Sequence, residues 1–173
     1  MMSRYPILGF AAFSGTGKTT LLKQLIPLLN KKGINIGIIK HTHHDIELDH
    51  PGKDSYELRH AGAQQTLLAG PNRWSLITET PEQNEPILNE LLQHLDQQRL
   101  DLILVEGFRD EAIPKIELHR TVLQKSFLFT DDNNIIAIAS DDPASIKTTL
   151  PVLDINKPAD IVEFIMLNIL SRE

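Results

Sequence analysis

Cysteine is absent from this 173-residue chain, which excludes disulfides and thiolate metal centres. No apolar run approaches the length of a membrane span. An excess of positive charge is missing too: 17 Lys and Arg against 23 Asp and Glu leave a net charge of −6, which disfavours a broad nucleic-acid-binding surface. There is no internal repeat, low-complexity tract or interdomain linker, and the N-terminal Met1–Pro6 turns strand-like too soon for a signal peptide. These absences give the expectation of one domain spanning residues 1–173, in the reducing cytoplasm, with neither membrane nor nucleic acid as partner. What remains is ordinary globular composition: 41% hydrophobic and 23% charged residues, enough to cover a sheet on both faces.

The most informative segment is Ala12-Phe13-Ser14-Gly15-Thr16-Gly17-Lys18-Thr19. It reads as a phosphate-binding P-loop in which Ala12 replaces the usual first glycine. Small residues let successive backbone N–H groups curl around an anion, and the following helix adds its positive end. Gly15, Thr16, Gly17, Lys18, Thr19 and Thr20 are the expected nucleotide-binding residues, with Lys18 reaching the β- and γ-phosphates and the Thr19 hydroxyl ligating Mg²⁺. Ala12 is tolerable provided its φ is negative. Context supports the motif: the apolar run Ile7–Ala11 precedes it as a buried strand, and Leu21, Leu22, Leu25, Leu28 and Leu29 follow at helical spacing.

Strand-like runs alternate with helical segments along the rest of the chain, the pattern of a mostly parallel, twisted α/β sheet with helices on both faces. Strands are expected at 34–40, 65–68, 74–78, 102–105, 114–118, 135–139 and 152–155, with residues 69–73 as a turn between the third and fourth of the chain's strands. Helices are expected at 54–63, capped by Asp54 or Ser55, at 85–96, and at 159–170. The last is apolar almost all round, so it is either deeply buried or part of an interface.

Leu102-Ile103-Leu104-Val105-Glu106-Gly107 supplies the acidic partner that a P-loop requires. Four apolar residues followed by an acid form a Walker B layout, here with Glu106 for the commoner Asp; its carboxylate would hold Mg²⁺ through water or orient the attacking water. Lys18 and Glu106 are therefore the candidate catalytic pair, and Thr19 and Glu106 the candidate metal ligands. The polar segment Lys40-His41-Thr42-His43-His44-Asp45 follows a strand, where ligands of parallel sheets gather. It has three readings: a transition-metal site, an anion-binding loop, or a solvated loop.

Taken in order, Ser14–Leu21, Lys40-His41 with His44, Gly52-Lys53-Asp54-Ser55, Ala61-Gly62-Ala63, Val105-Glu106-Gly107-Phe108 and Pro114-Lys115-Ile116-Glu117 resemble the molybdopterin-guanine dinucleotide biosynthesis adapter family, MobB. The resemblance runs to about Leu170. It implies a dimeric protein that binds GTP with Mg²⁺ and hydrolyses it slowly. It further implies that the protein assists a guanylyltransferase in attaching GMP to molybdopterin, with molybdopterin or the molybdenum cofactor as a second ligand. Lys40, His41, Asp54 and Lys115 match family motifs without an assigned role. No Asn-Lys-x-Asp motif is present to read guanine; Asp141 or Asp142, at the end of the 135–139 strand, could accept hydrogen bonds from guanine N1 and N2. Two other functions fit parts of the pattern. A P-loop small-molecule kinase would use Arg109 or Arg120 as its lid arginine, and a metallochaperone GTPase would use the His41–His44 cluster.

Overall fold

The computed structural model describes residues 6–42, 46–81 and 85–171. The chain divides into two compact units, Met1–His41 with Pro86–Glu173, and Thr42–Glu85.

The first unit is built on six strands: β1 (Ile7–Ala11), β2 (Ile36–Lys40), β5 (Leu102–Glu106), β6 (Lys115–His119), β7 (Ile135–Ser140) and β8 (Val152–Asp154). The numbers β3 and β4 belong to the second unit. The six strands lie in the order β2-β5-β1-β6-β7-β8, and every pairing is parallel. The expected parallel α/β architecture is therefore the observed one. Register aligns the functional ends: Phe10 of β1 and Lys40 of β2 both pair with Glu106 of β5.

Period-two alternation assigns the faces. On one face Leu8, Phe10, Leu104, Ile116 and Ala137 pack against Leu21, Leu25 and Leu29 of α1 (Lys18–Lys31) and Ile161 and Ile165 of α4 (Pro158–Ile165). On the other, Ile39, Ile103 and Val105 meet Leu88, Leu92 and Phe108, while Ala11 and Ile135 meet Leu128. Leu25 and Leu29 are wholly buried, and each contributes roughly 1.5–3 kcal/mol by leaving water.

The helix expected at 85–96 is much shorter. Helix α3 covers only Leu88–Leu91, followed by 3₁₀ turns at Leu92–His94 and Gln97–Arg99. The side-chain amide of Gln97 donates to the Leu92 carbonyl at 2.6 Å, closing the chain back on the turn. Only Leu88 and Leu92 of the apolar stripe are fully buried. The C-terminal helix starts at Pro158 and loosens into a π-helical turn over Met166–Leu170. Its apolar side is covered within the unit: Ile161, Val162, Ile165 and Ile169 join the core that α1 shares, which accounts for the apolar character of this helix.

The second unit holds α2 (Asp54–His60) and the strands β3 (Gln65–Ala69) and β4 (Trp74–Thr78). The strands pair antiparallel, Leu67 opposite Leu76 and Ala69 opposite Trp74. Gly70 N–H donates to the Arg73 carbonyl across the expected turn. Lys53, rather than Asp54 or Ser55, occupies the N-cap position of α2 and makes no side-chain capping bond; the Ser55 hydroxyl is committed to Asp49. Arg59 joins this unit together through Glu79, at 3.0 Å, and Glu47.

Candidate functional site

The loop from β1 to α1 folds as its residue types require. Gly15 (φ +81°) and Gly17 (φ +98°) take left-handed conformations that side chains oppose. Among the described residues Gln124 is the one non-glycine with positive φ, so Ala12 sits where an alanine is at ease. The Thr16 hydroxyl donates to the Phe13 carbonyl at 2.7 Å; Thr16 is buried and braces the loop from within. The Lys18 ammonium folds back to donate to the Ala12 carbonyl at 3.1 Å, spanning the hollow of the loop. Gly17 begins α1 without a side-chain cap. A helix start without a capping side chain, behind two left-handed glycines, is a general anion-binding arrangement.

Glu106 ends β5, the strand beside β1. Its carboxylate is largely buried and lies 3.8 Å from the Lys40 ammonium. The next residue, Gly107, has φ +105°, and a Cβ there would stand 2.9 Å from both Cβ and carbonyl oxygen of His41. Only glycine fits. His41 N–H donates to the Glu106 carbonyl at 2.8 Å and its ring stacks on Phe108 at 4.9 Å. Two of the unassigned motif residues, Lys40 and His41, are thereby placed around Glu106. His43, His44 and Asp45 lie outside the described residues. Among the described residues no group of three His, Asp or Glu side chains is arranged to hold a metal.

On the other side of the loop stands Arg120, one of the two candidate lid arginines. Arg120 follows β6, and its Nε donates to the Thr16 carbonyl at 3.0 Å. Its Nη1 lies 3.8 Å from Asp141. Asp141 Oδ1 in turn accepts from the backbone N–H of Thr121 at 3.0 Å and from its hydroxyl at 3.3 Å. The Thr121 N–H foremost, helped by its hydroxyl and by Arg120, holds the Asp141 carboxyl below the ordinary carboxylate range.

Lys115 and Glu117 fill the polar face of β6. Lys115 is almost fully buried and pairs with Asp132 at 2.7 Å. Glu117, also buried, accepts the N–H groups of Leu128 and Phe129 at 2.8 and 2.9 Å. Burial lifts its carboxyl above the ordinary value, against the downward pull of those two bonds. The matched motif at 114–117 thus ties the 128–132 segment to the sheet. Asp54 opens α2 in the second unit.

A strand, a glycine-rich anion loop, a helix and a neighbouring strand ending in a carboxylate together define a P-loop nucleotide-binding fold. The profile of the MobB family, molybdopterin guanine dinucleotide synthesis protein B, matches residues 7–141. The molybdopterin-guanine dinucleotide biosynthesis adapter protein of Escherichia coli K12 is 52% identical over 162 residues, 93% of this chain and 91% of that protein. Its counterpart in Haemophilus influenzae is 45% identical over 166 residues, 95% of this chain and 90% of that protein. The crystal structure of Bacillus subtilis MobB superposes with a TM-score of 0.73 at 25% identity, covering 97% of this chain and all of that one. The chain belongs to the MobB family.

Proposed function

We propose that this protein is a cytoplasmic GTP-binding adapter of molybdopterin-guanine dinucleotide biosynthesis, with at most slow GTP hydrolysis, serving a guanylyltransferase that joins GMP to molybdopterin. The observation that carries the nucleotide half is the loop itself, two left-handed glycines with Lys18 spanning its hollow. The adapter half comes from relatives whose names state that role at 52% and 45% identity.

The donors suit Mg²⁺. The Thr19 hydroxyl and the Glu106 carboxylate are hard oxygen ligands of the kind that ion takes alongside phosphates and water. When bound, Mg²⁺ neutralises charge between the β- and γ-phosphates. Gly15 to Thr20 supply N–H groups and a hydroxyl to the phosphates, and Lys18 exchanges its Ala12 carbonyl for phosphate oxygen. Asp141 belongs to the same site through Arg120.

The partner is the guanylyltransferase, with molybdopterin or the cofactor as the second ligand, and the protein works as a homodimer. The β3–β4 hairpin supports the dimer. A two-stranded sheet is marginal alone in water, yet Leu67, Trp74 and Leu76, on one face, are 62%, 67% and 43% exposed. A second copy of the chain would cover that face.

Titration calorimetry with GTP tests the reading. Binding should require Mg²⁺, and Glu106→Gln should weaken it by about tenfold, roughly the worth of one charge-assisted contact. GTP binding that ignores both Mg²⁺ and Glu106 would overturn the metal assignment.

A further inference from the structure

A cavity of about 140 Å³ opens beside the loop, between the first two turns of α1 (Gly17, Thr20, Gln24), Arg120, and the turn after β8 (Ile155, Asn156). A larger hollow of about 410 Å³ lies between Asn30, Gly33, Asn35 and Arg99. That hollow sits at the N-terminal ends of β2 and β5, opposite the strand ends where parallel sheets collect ligands.

The smaller cavity has a defined relation to the phosphate path. β1 feeds the loop from the middle of the sheet; β5 with Glu106 flanks it on one side, and β6, which leads into Arg120, on the other. In a P-loop the Lys and the hydroxyl of the Gly-Lys-Thr end engage the β/γ-phosphates and metal, while the backbone cradles the α/β-phosphates. The metal end of a triphosphate therefore belongs toward Glu106. Its other end emerges toward Gly17 and Thr20, into this cavity.

The walls suit a flat heterocycle. A guanidinium is planar, weakly hydrated and stacks on aromatic faces. Here one hydrogen bond, to the Thr16 carbonyl at 3.0 Å, and an ion pair with Asp141 at 3.8 Å hold it beside the loop. A Cβ on Gly17 would lie 3.8 Å from that guanidinium, which shows how closely Arg120 adjoins the loop. Across the cavity Asn156 is held by its backbone, whose N–H donates to Asp154 at 2.9 Å. Its side-chain amide offers one donor group and one acceptor.

We propose that this cavity is the nucleoside subsite: Arg120 lies against the base, Asn156 hydrogen-bonds the base edge, and Asp141 acts as a positioning residue that holds Arg120. The assignment rests on the nucleotide-binding reading above and extends it to residues outside the loop.

The test compares GTP with inorganic tripolyphosphate, which shares the phosphates and lacks the nucleoside. Both are titrated calorimetrically, with Mg²⁺, into wild type, Asn156→Ala and Arg120→Lys. Asn156 is exposed and Arg120→Lys keeps the charge, so thermal midpoints should confirm folded variants. The expected result is a loss of about tenfold in GTP affinity for each variant, with the tripolyphosphate affinity of Asn156→Ala changed less than about twofold. Unchanged GTP affinity in both variants, or equal losses for both ligands in Asn156→Ala, overturns the subsite while leaving the phosphate loop intact. A wild type that binds neither ligand would overturn the nucleotide reading and the subsite together.

Discussion

Gly107→Ala is the substitution whose cost follows most directly from the geometry. The residue has φ +105°, and the new Cβ would stand 2.9 Å from Cβ and carbonyl oxygen of His41 and 3.3 Å from its Cα. Backbone atoms cannot swing aside as a flexible side-chain tip can. The left-handed conformation costs about 1–2 kcal/mol, and relieving the overlap adds about 1–3 kcal/mol. For a protein of this size each kcal/mol lowers Tm by roughly 2–4 °C, so the expected loss is on the order of 4–20 °C. Gly33→Ala is the matched control. Gly33 also has positive φ, +83°, but a Cβ there meets nothing within 4 Å, so only the conformational part, about 1–2 kcal/mol, applies. Calorimetric melting of wild type and both variants separates the two contributions. Because the Glu106 carbonyl receives the His41 N–H, Gly107→Ala should also weaken Mg²⁺-dependent GTP binding. A Gly107→Ala protein that melts no lower than Gly33→Ala would rule out the clash with His41.

Other consequences are open to the same methods. Asp132→Ala strands the buried Lys115 ammonium and should cost about 3–5 kcal/mol, whereas Lys115→Met should cost far less; chemical denaturation measures both, and equal costs would contradict the pairing. Glu117 has its carboxyl raised in the fold, so the native state binds the extra proton and stability falls as pH rises from the unfolded value near 4.5 through the folded one. The melting temperature of wild type relative to Glu117→Gln should therefore decline over that interval, and a relative rise would contradict the sign. Replacing Leu67 and Trp74 together by Ser should shift the mass measured by light scattering from dimer to monomer without loss of GTP binding; a wild type that is monomeric removes the dimer proposal.

The strand expected at 102–105 was legible because it combines a local chemical signature with an unbroken apolar run, and it runs one residue further, to Glu106; the loop at 12–17 joins a strand to a helix, as its flanking apolar patterns indicate. The parallel sheet followed from the alternation of such runs. The 85–96 segment misled because helical spacing reports which side faces the core, not whether the turns are α or 3₁₀. Strand β6 hid its role for a different reason. Lys115, Glu117 and His119 alternate with Ile116 and Leu118 as on a half-exposed strand, yet all five are buried, since Asp132 and the N–H groups at 128–129 satisfy the first two polar groups. Arg120 and Asn156 stand 36 positions apart and carry no motif; only the placement of β6 and β8 brings them to one cavity.

We propose that the loop's grip on GTP serves a partner enzyme. The most direct test is guanine dinucleotide formation by the guanylyltransferase from molybdopterin and GTP, with wild type, Lys18→Ala, or no added adapter. Wild type should stimulate, and Lys18→Ala should give a yield near that without adapter, alongside a loss of GTP affinity of about 100-fold, the worth of roughly 3 kcal/mol of charge-assisted contact. Full stimulation by a Lys18→Ala protein shown not to bind GTP would contradict the proposal.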